Sequence, residues 1–205
     1  MAEIDEMAKG AFQEAGNIGM GHLATSLSKM VNRDVKIDIP IVEMISLDEI
    51  IARSNQEGKN KSVVGIHLHI TGDVTGGTLI LFPKFSALSF SDLLMKKSIG
   101  TTTKIEEPQI RKLREMGLNL CSSYMRVVND FLGISLSIGD PSIEVNMEGV
   151  GDFIQKEIGT LADQFIVVKG ECMIPSTNSK HEFNMLFEPG ATDIIMAAIM
   201  KKMMG

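Results

Sequence analysis

The stretch from Phe12 to Met30 reads FQEAGNIGMGHLATSLSKM and holds a polar pair, Glu14 and Asn17. Three positions apart, the two share one side of a helix. A carboxamide offers both a hydrogen-bond donor and an acceptor, so Asn17 can orient a water for attack without a pKa near neutrality. A carboxylate can pair with a lysine on another molecule and so fix a docked geometry. Glu14 cannot bind phosphate unaided, because like charges repel. Phosphate chemistry at this pair therefore requires the phosphate, its metal and a counter-lysine to sit on a partner. The bare pair also fits a solvated glutamate beside a local kink-making asparagine, and both readings stand at this point.

The element that must carry the pair is a helix over residues 3–30, with apolar positions at Met7, Phe12, Ile18, Leu23, Leu27 and Met30. Gly16, Gly19 and Gly21 interrupt it, each costing about 1 kcal/mol against alanine. A helix that accepts this cost three times needs a close backbone approach or a break. Downstream, strands are expected at 35–39 and 42–46 on either side of Pro40, which places them at an edge, bulge or strand start. Ser46 then caps a short helix, and 53–62 reads as a polar loop. The alternation VVGIHLHI at 63–70, the turn at Thr71–Asp73 and the run 74–82 make a hairpin. A helix over 85–97 and a linker over 99–105 complete this round.

A second round follows the same order. A helix runs from Glu107-Pro108 to Phe131, strands lie at 134–138 and 142–147 around Pro141, and a short helix covers 153–161. A strand pair at 165–173 and 183–187 precedes a last helix over 192–204. Glu14 and Glu115 are 101 positions apart, as are Pro40 and Pro141. This spacing points to an internal duplication, with pseudo-repeats 3–99 and 104–205 inside a single domain spanning 1–205. The expected fold class is α+β. It is a pseudo-twofold unit with a mostly antiparallel, possibly continuous sheet, flanked by two long motif-bearing helices that lie near each other on one outer surface.

Composition narrows the function classes. Apolar residues make up 44 % and charged residues 22 %, ordinary values for a globular protein, and the net charge is −6. No basic run marks a nucleic-acid footprint, and no apolar stretch reaches membrane-spanning length. Methionine is common at 15 residues, while there are nine Phe, one Tyr and no Trp. Cys121 and Cys172 have no metal-ligand spacing and read as buried thiols in a reducing compartment, with the cytoplasm as the default. The glycine-rich stretches lack the phosphate-loop lysine and the dinucleotide spacing, which excludes ATP, GTP and NAD sites. Ser122-Ser123-Tyr124 carries no nucleophile elbow.

The pattern E-x2-N-x22-P, met by Glu14, Asn17 and Pro40, resembles the signature of the CheC/CheX/FliY family of response-regulator phosphatases, and its CheC branch above all. EAGNIGMG at 14–21, TGDVTGG at 71–77 and PQIRKLREMG at 108–117 match as well. The resemblance implies hydrolysis of the aspartyl phosphate of the chemotaxis regulator CheY. Asn17 would hold the attacking water in line, and Glu14 would contact the receiver's lysine. The chain would need no cofactor of its own, since Mg²⁺ sits on the partner receiver domain. Gly16 and Gly21 would permit close approach. In the second round Glu115 is in place, but Leu118 holds the asparagine position and Asn119 falls one residue late, turned by about 100° on a regular helix. Glu115 is thus expected to belong to an impaired second site. The family motif often begins with Asp or Ser four residues before the glutamate. Gly10 and Arg111 stand there instead, and Arg111 is free to pair with Glu115 or an acidic partner.

Among the other candidates, His22 is turned by about 140° from Asn17 and is read as a structural or surface residue. His67 and His69 share a strand face and can bind metal as a pair. No neighbouring Cys or carboxylate in the sequence completes a site, so a hydrogen-bonded or solvated face is expected and no metal ligand is assigned. His181 lies in a polar turn. The polar segment 53–61 reads as a mobile loop and a candidate rim for a partner site. The expected partners are phosphorylated CheY and, as in CheC relatives, the receptor deamidase CheD, with no nucleic acid, no membrane insertion and a monomeric state. A non-catalytic adaptor binding CheD or CheY is the alternative. Switch-complex relatives usually carry an additional C-terminal domain, and the chain ends at Gly205, which ranks that role low.

Overall fold

The computed structural model describes residues 4–58, 63–147, 149–177 and 179–204. In chain order the first half contains α1 (Glu6–Val31), β1 (Lys36–Ile37), β2 (Ile41–Ser46), α2 (Leu47–Gly58), β3 (Val63–Gly72), β4 (Gly76–Pro83) and α3 (Lys84–Leu94). The second half contains α4 (Glu107–Leu132), β5 (Leu136–Ile138), β6 (Ser142–Met147), α5 (Gly151–Ile158), β7 (Gln164–Ile174), β8 (Ser179–Phe187) and α6 (Ala191–Met204). The fold is α+β, and every pairing among the described strands is antiparallel.

The sheet runs β1-β7-β8-β4-β3-β5, with β2 also on β7 and β6 also on β3. Each half therefore lends its short strands to the other half's hairpin. β2 pairs Ile41–Ser46 along β7, and β6 pairs along β3. The central seam is β4 against β8, from Gly76 opposite Phe187 to Leu81 opposite Glu182.

Strand alternation sorts the core into two layers. Ile66, Leu68, Ile80, Phe82, Ile166, Val168 and Phe183 face a cluster with α1, α3, α4 and α6. Leu79, Leu81, Phe165, Val167 and Leu186 point the other way, toward Leu47 and Ile50 of α2 and Phe153, Ile154 and Ile158 of α5. Successive side chains leave a strand on opposite faces, so apolar residues at consecutive positions of β4 and β7 require helices on both sides of the sheet.

The two long helices are matched in length, 26 residues each, and in how they end. Asp5 caps α1 by accepting from the Ala8 amide at 2.8 Å. At the start of α4 the Glu106 amide donates to Gln109 Oε1 at 3.1 Å. Asn32 (φ 50°) and Gly133 (φ 69°) close the two C-termini in the left-handed region. Both helices are unbroken, so the glycines of α1 serve close approach and not a break.

Two expectations are corrected. Residues 53–58 are helical, continuing α2 beyond the expected loop; the remainder of that loop, 59–62, lies outside the described residues. Arg53 Nη1 bridges to Glu43 at 2.7 Å and a second nitrogen reaches Glu49 one turn back, which ties the extended helix to β2. His181 sits in β8, not in a turn, and is 4 % exposed. The hydrophobic alternation of β8 carries on through the polar residues that had suggested a turn.

Candidate functional site

Glu14 and Asn17 are both exposed on the unbroken α1. Three residues apart, they are separated by about 4.5 Å along the axis on one side of the helix. Among the described residues neither side chain has a hydrogen bond or an ion pair, so their polar atoms face water. The exposed stripe continues in helical steps to Met7 and Gly10 on one side and meets the half-buried Gly21 on the other. A Cβ placed at Gly10 or at Gly21 would meet nothing within 4 Å. The pair therefore stands above the surface with bare backbone before and after it.

The inner side of the same turn explains the distant proline. Gly16 lies between the two polar residues in sequence but points inward. A Cβ there would come within 2.8 Å of Val168 and 3.2 Å of the Pro40 ring. Pro40 is buried, and its carbonyl accepts from Gln13 Nε2 at 3.2 Å. The E-x2-N-x22-P pattern is thus one contiguous piece: the proline ring packs under the turn that displays Glu14 and Asn17. This corrects the expectation for Gly16, which seats the helix on the sheet and does not line the approach. Gly10 takes that place, and it was legible as the next residue on the stripe.

Gly19 sets the distance between the long helices. A Cβ there would lie 2.4 Å from the ring of Tyr124 on α4, which is fully buried. The expected proximity of the two helices is therefore observed, with glycine against tyrosine at the contact.

On α4 the corresponding stripe carries Arg111, Glu115, Leu118 and Ser122, all exposed. Leu118 is 38 % exposed, a large apolar side chain where α1 shows Asn17. Lys112 Nζ binds Glu115 at 2.6 Å, so that carboxylate is engaged within its own helix. Of the two pairings left open for Arg111, the one with Glu115 is not formed among the described residues. Because α4 is regular, Asn119 is directed about 100° away from the Leu118 station.

The sequence profile of the CheC-like family matches residues 7–44, a span that holds the exposed stripe of α1, Pro40 and most of β2. The CheY-P phosphatase CheC of Bacillus subtilis (strain 168) is 28 % identical over 148 residues, which are 71 % of this chain and 70 % of that one. Over residues 7–44, and in sequence with that Bacillus subtilis protein, this chain is similar to the CheC-like family. The crystal structure of FliY from Thermotoga maritima superposes with a TM-score of 0.76 at 22 % identity, covering 97 % of this chain and 98 % of that one. A chain of the CheX–CheY–BeF3–Mg²⁺ complex from Borrelia burgdorferi matches with a TM-score of 0.57 at 12 % identity over 84 % of this chain and 96 % of that one.

The remaining candidates of this chain divide by face. His22 is exposed on α1. Cys121 and Cys172 are buried free thiols, and desolvation pushes both up to about 12. They are inert as nucleophiles near neutral pH. His67 and His69 are on the opposite face of the sheet from α1, their rings 4.6 Å apart. Burial pushes His67 down to about 4; His69 adds to this and Glu157 opposes it. Glu157, on α5, brings Oε2 to 3.2 Å from His67 Nδ1. The carboxylate that the sequence failed to place beside the histidines is thus supplied from 90 positions away. Among the described residues, no helix is long and apolar enough to cross a membrane.

Proposed function

We propose that this chain hydrolyses the aspartyl phosphate of a CheY-type receiver domain, using the exposed face of α1. The single observation that carries this reading is that Glu14 and Asn17 stand exposed without partners on the matched segment. The chain contributes no covalent intermediate. The Asn17 side-chain oxygen accepts a hydrogen bond from a water and turns the water's lone pair toward phosphorus, while Glu14 pairs with the receiver's lysine and holds the two surfaces in register. Mg²⁺ on the receiver offsets the charge of the phosphoryl oxygens. Catalysis then rests on positioning and on charge placed in advance. The open backbone at Gly10 and Gly21 lets the partner descend onto the pair.

The reading is supported by the Bacillus subtilis relative, which carries the name CheY-P phosphatase, and by the fold shared with CheX, which was crystallised with CheY, BeF3 and Mg²⁺. The test is release of phosphate from a phosphorylated CheY receiver with and without this protein. Wild type should accelerate it, and Asn17→Ala should lose about 100-fold of that acceleration with an unchanged melting temperature. An unchanged rate in the variant would overturn the role of Asn17. A second reading, an adaptor binding CheY or CheD through α4, is favoured by the engaged Glu115 and the apolar Leu118. Receiver binding without accelerated turnover would select it.

A further inference from the structure

On the face of the sheet away from α1, His67 and His69 of β3 and Glu157 of α5 place one ligand atom each within 4.8 Å of one another. Three further observations concern the same spot. His67 is 1 % exposed, and its Nε2 is buried with no partner. Ser142, directly across from His67 on β6 and therefore on the same face, has a buried Oγ that is also unsatisfied. Gly77 of β4, opposite His69, leaves the room that the ring of His67 fills: a Cβ there would lie 2.6 Å from Nε2. Buried polar atoms left unpaired are costly, and the fold gathers two of them beside a carboxylate.

We propose that His67, His69 and Glu157 form a three-ligand site for Zn²⁺ or a similar first-row divalent ion. Two imidazoles and one carboxylate suit this class of metal, and three protein ligands leave one position open for water. Around a tetrahedral Zn²⁺, ligand atoms lie about 3.3 Å apart. His67 Nδ1 and Glu157 Oε2 already stand at 3.2 Å. Metal binding would place the ring proton on Nε2 and a cation between Nδ1 and the carboxylate, in place of the hydrogen bond the two groups otherwise share. His69 is exposed and supplies the third ligand atom within 4.8 Å of the other two. Lys156 Nζ sits 3.5 Å from the other carboxylate oxygen, Oε1.

Such an ion would clip α5 to β3 and so join the two halves on the side opposite the α1 surface. The position of α5 is set independently of any metal. Asn55 Oδ1 accepts from the amides of Val150 and Gly151 at 3.1 and 3.0 Å, and Phe153, Ile154 and Ile158 anchor the helix in the core.

The test uses the tag-free full chain, stripped with chelator and titrated with Zn²⁺ by calorimetry and with Co²⁺ by its visible d–d absorption. One ion per chain should bind, with the strong band of a four-coordinate site, and the melting temperature should rise with Zn²⁺. His69→Ala and Glu157→Gln, neither of them a core side chain, should each weaken binding by at least about tenfold while melting like wild type in the absence of metal. His22→Ala should bind as wild type does. No saturable binding to wild type, or binding unchanged in both ligand variants, overturns the site. Receiver dephosphorylation is not part of the readout, so this outcome is independent of the reading of α1.

Discussion

Asn17 and Leu118 occupy the same station on two matched helices, one residue polar and unpartnered, the other apolar and 38 % exposed. Leu118 lies outside the buried core cluster, so replacing it costs less than replacing a core leucine. Leu118→Asn should change stability by no more than about 0.5 kcal/mol. If the surroundings of α4 otherwise suffice, this single change should add a second working pair with Glu115. The expected result is up to about a twofold gain in receiver dephosphorylation, and recovery of activity when combined with Asn17→Ala. No recovery in the double variant would show that the Lys112 pairing of Glu115, or the arginine at position 111, also blocks that face. The isolated Glu14 makes a second residue-scale contrast. It carries its charge without a competing lysine, whereas Glu115 must release Lys112, held at 2.6 Å, before it can meet a partner.

At the scale of elements, the glycines of α1 separate into two kinds that composition could not distinguish. Gly16 and Gly19 face Pro40, Val168 and the Tyr124 ring, while Gly10 and Gly21 face open space. Gly19→Ala must displace a buried tyrosine and should cost about 1–3 kcal/mol, read as a lower urea midpoint. Gly21→Ala meets nothing and restores helix propensity, so it should stabilise by up to about 1 kcal/mol. The same methyl lies beside the pair that a partner must reach, and the affinity for phosphorylated receiver should fall. Equal stability of the two variants would contradict this division.

At the scale of the whole molecule, the halves interlock, because each lends its short strands to the other's hairpin. The core between the sheet and the four-helix layer contains one residue at odds with it. His181 packs between Phe82 and Phe90, with neither ring nitrogen partnered, and burial pushes it down to about 3. The unfolded chain protonates this side chain near its ordinary value of 6.5, the folded chain only near 3. Between those values the unfolded state holds more protons, so stability is fully present above the unfolded value and is lost as pH falls through the window. The urea midpoint should therefore drop between pH 7 and pH 4, and His181→Leu should flatten part of that drop while keeping the fold. An identical drop in the variant would assign the acid sensitivity to other groups.

Periodicity and punctuation were enough to place the helices and strands to within a few residues, because local hydrophobic pattern, caps and prolines act over one or two turns. The exposed pair was also legible, since a three-residue spacing on a helix decides which side chains share a side wherever that helix packs. Residues 53–58 were misjudged because their polar composition reflects a solvated helix face held by Arg53, not a loop. Only the tertiary structure could say that Gly16 points inward onto Pro40, or that Gly19 meets Tyr124. It alone could show that α5 carries Glu157 to the histidines of β3. The last two contacts join segments from opposite halves of the chain, and the order of strands across the sheet, which no local signal encodes, decides which of them meet.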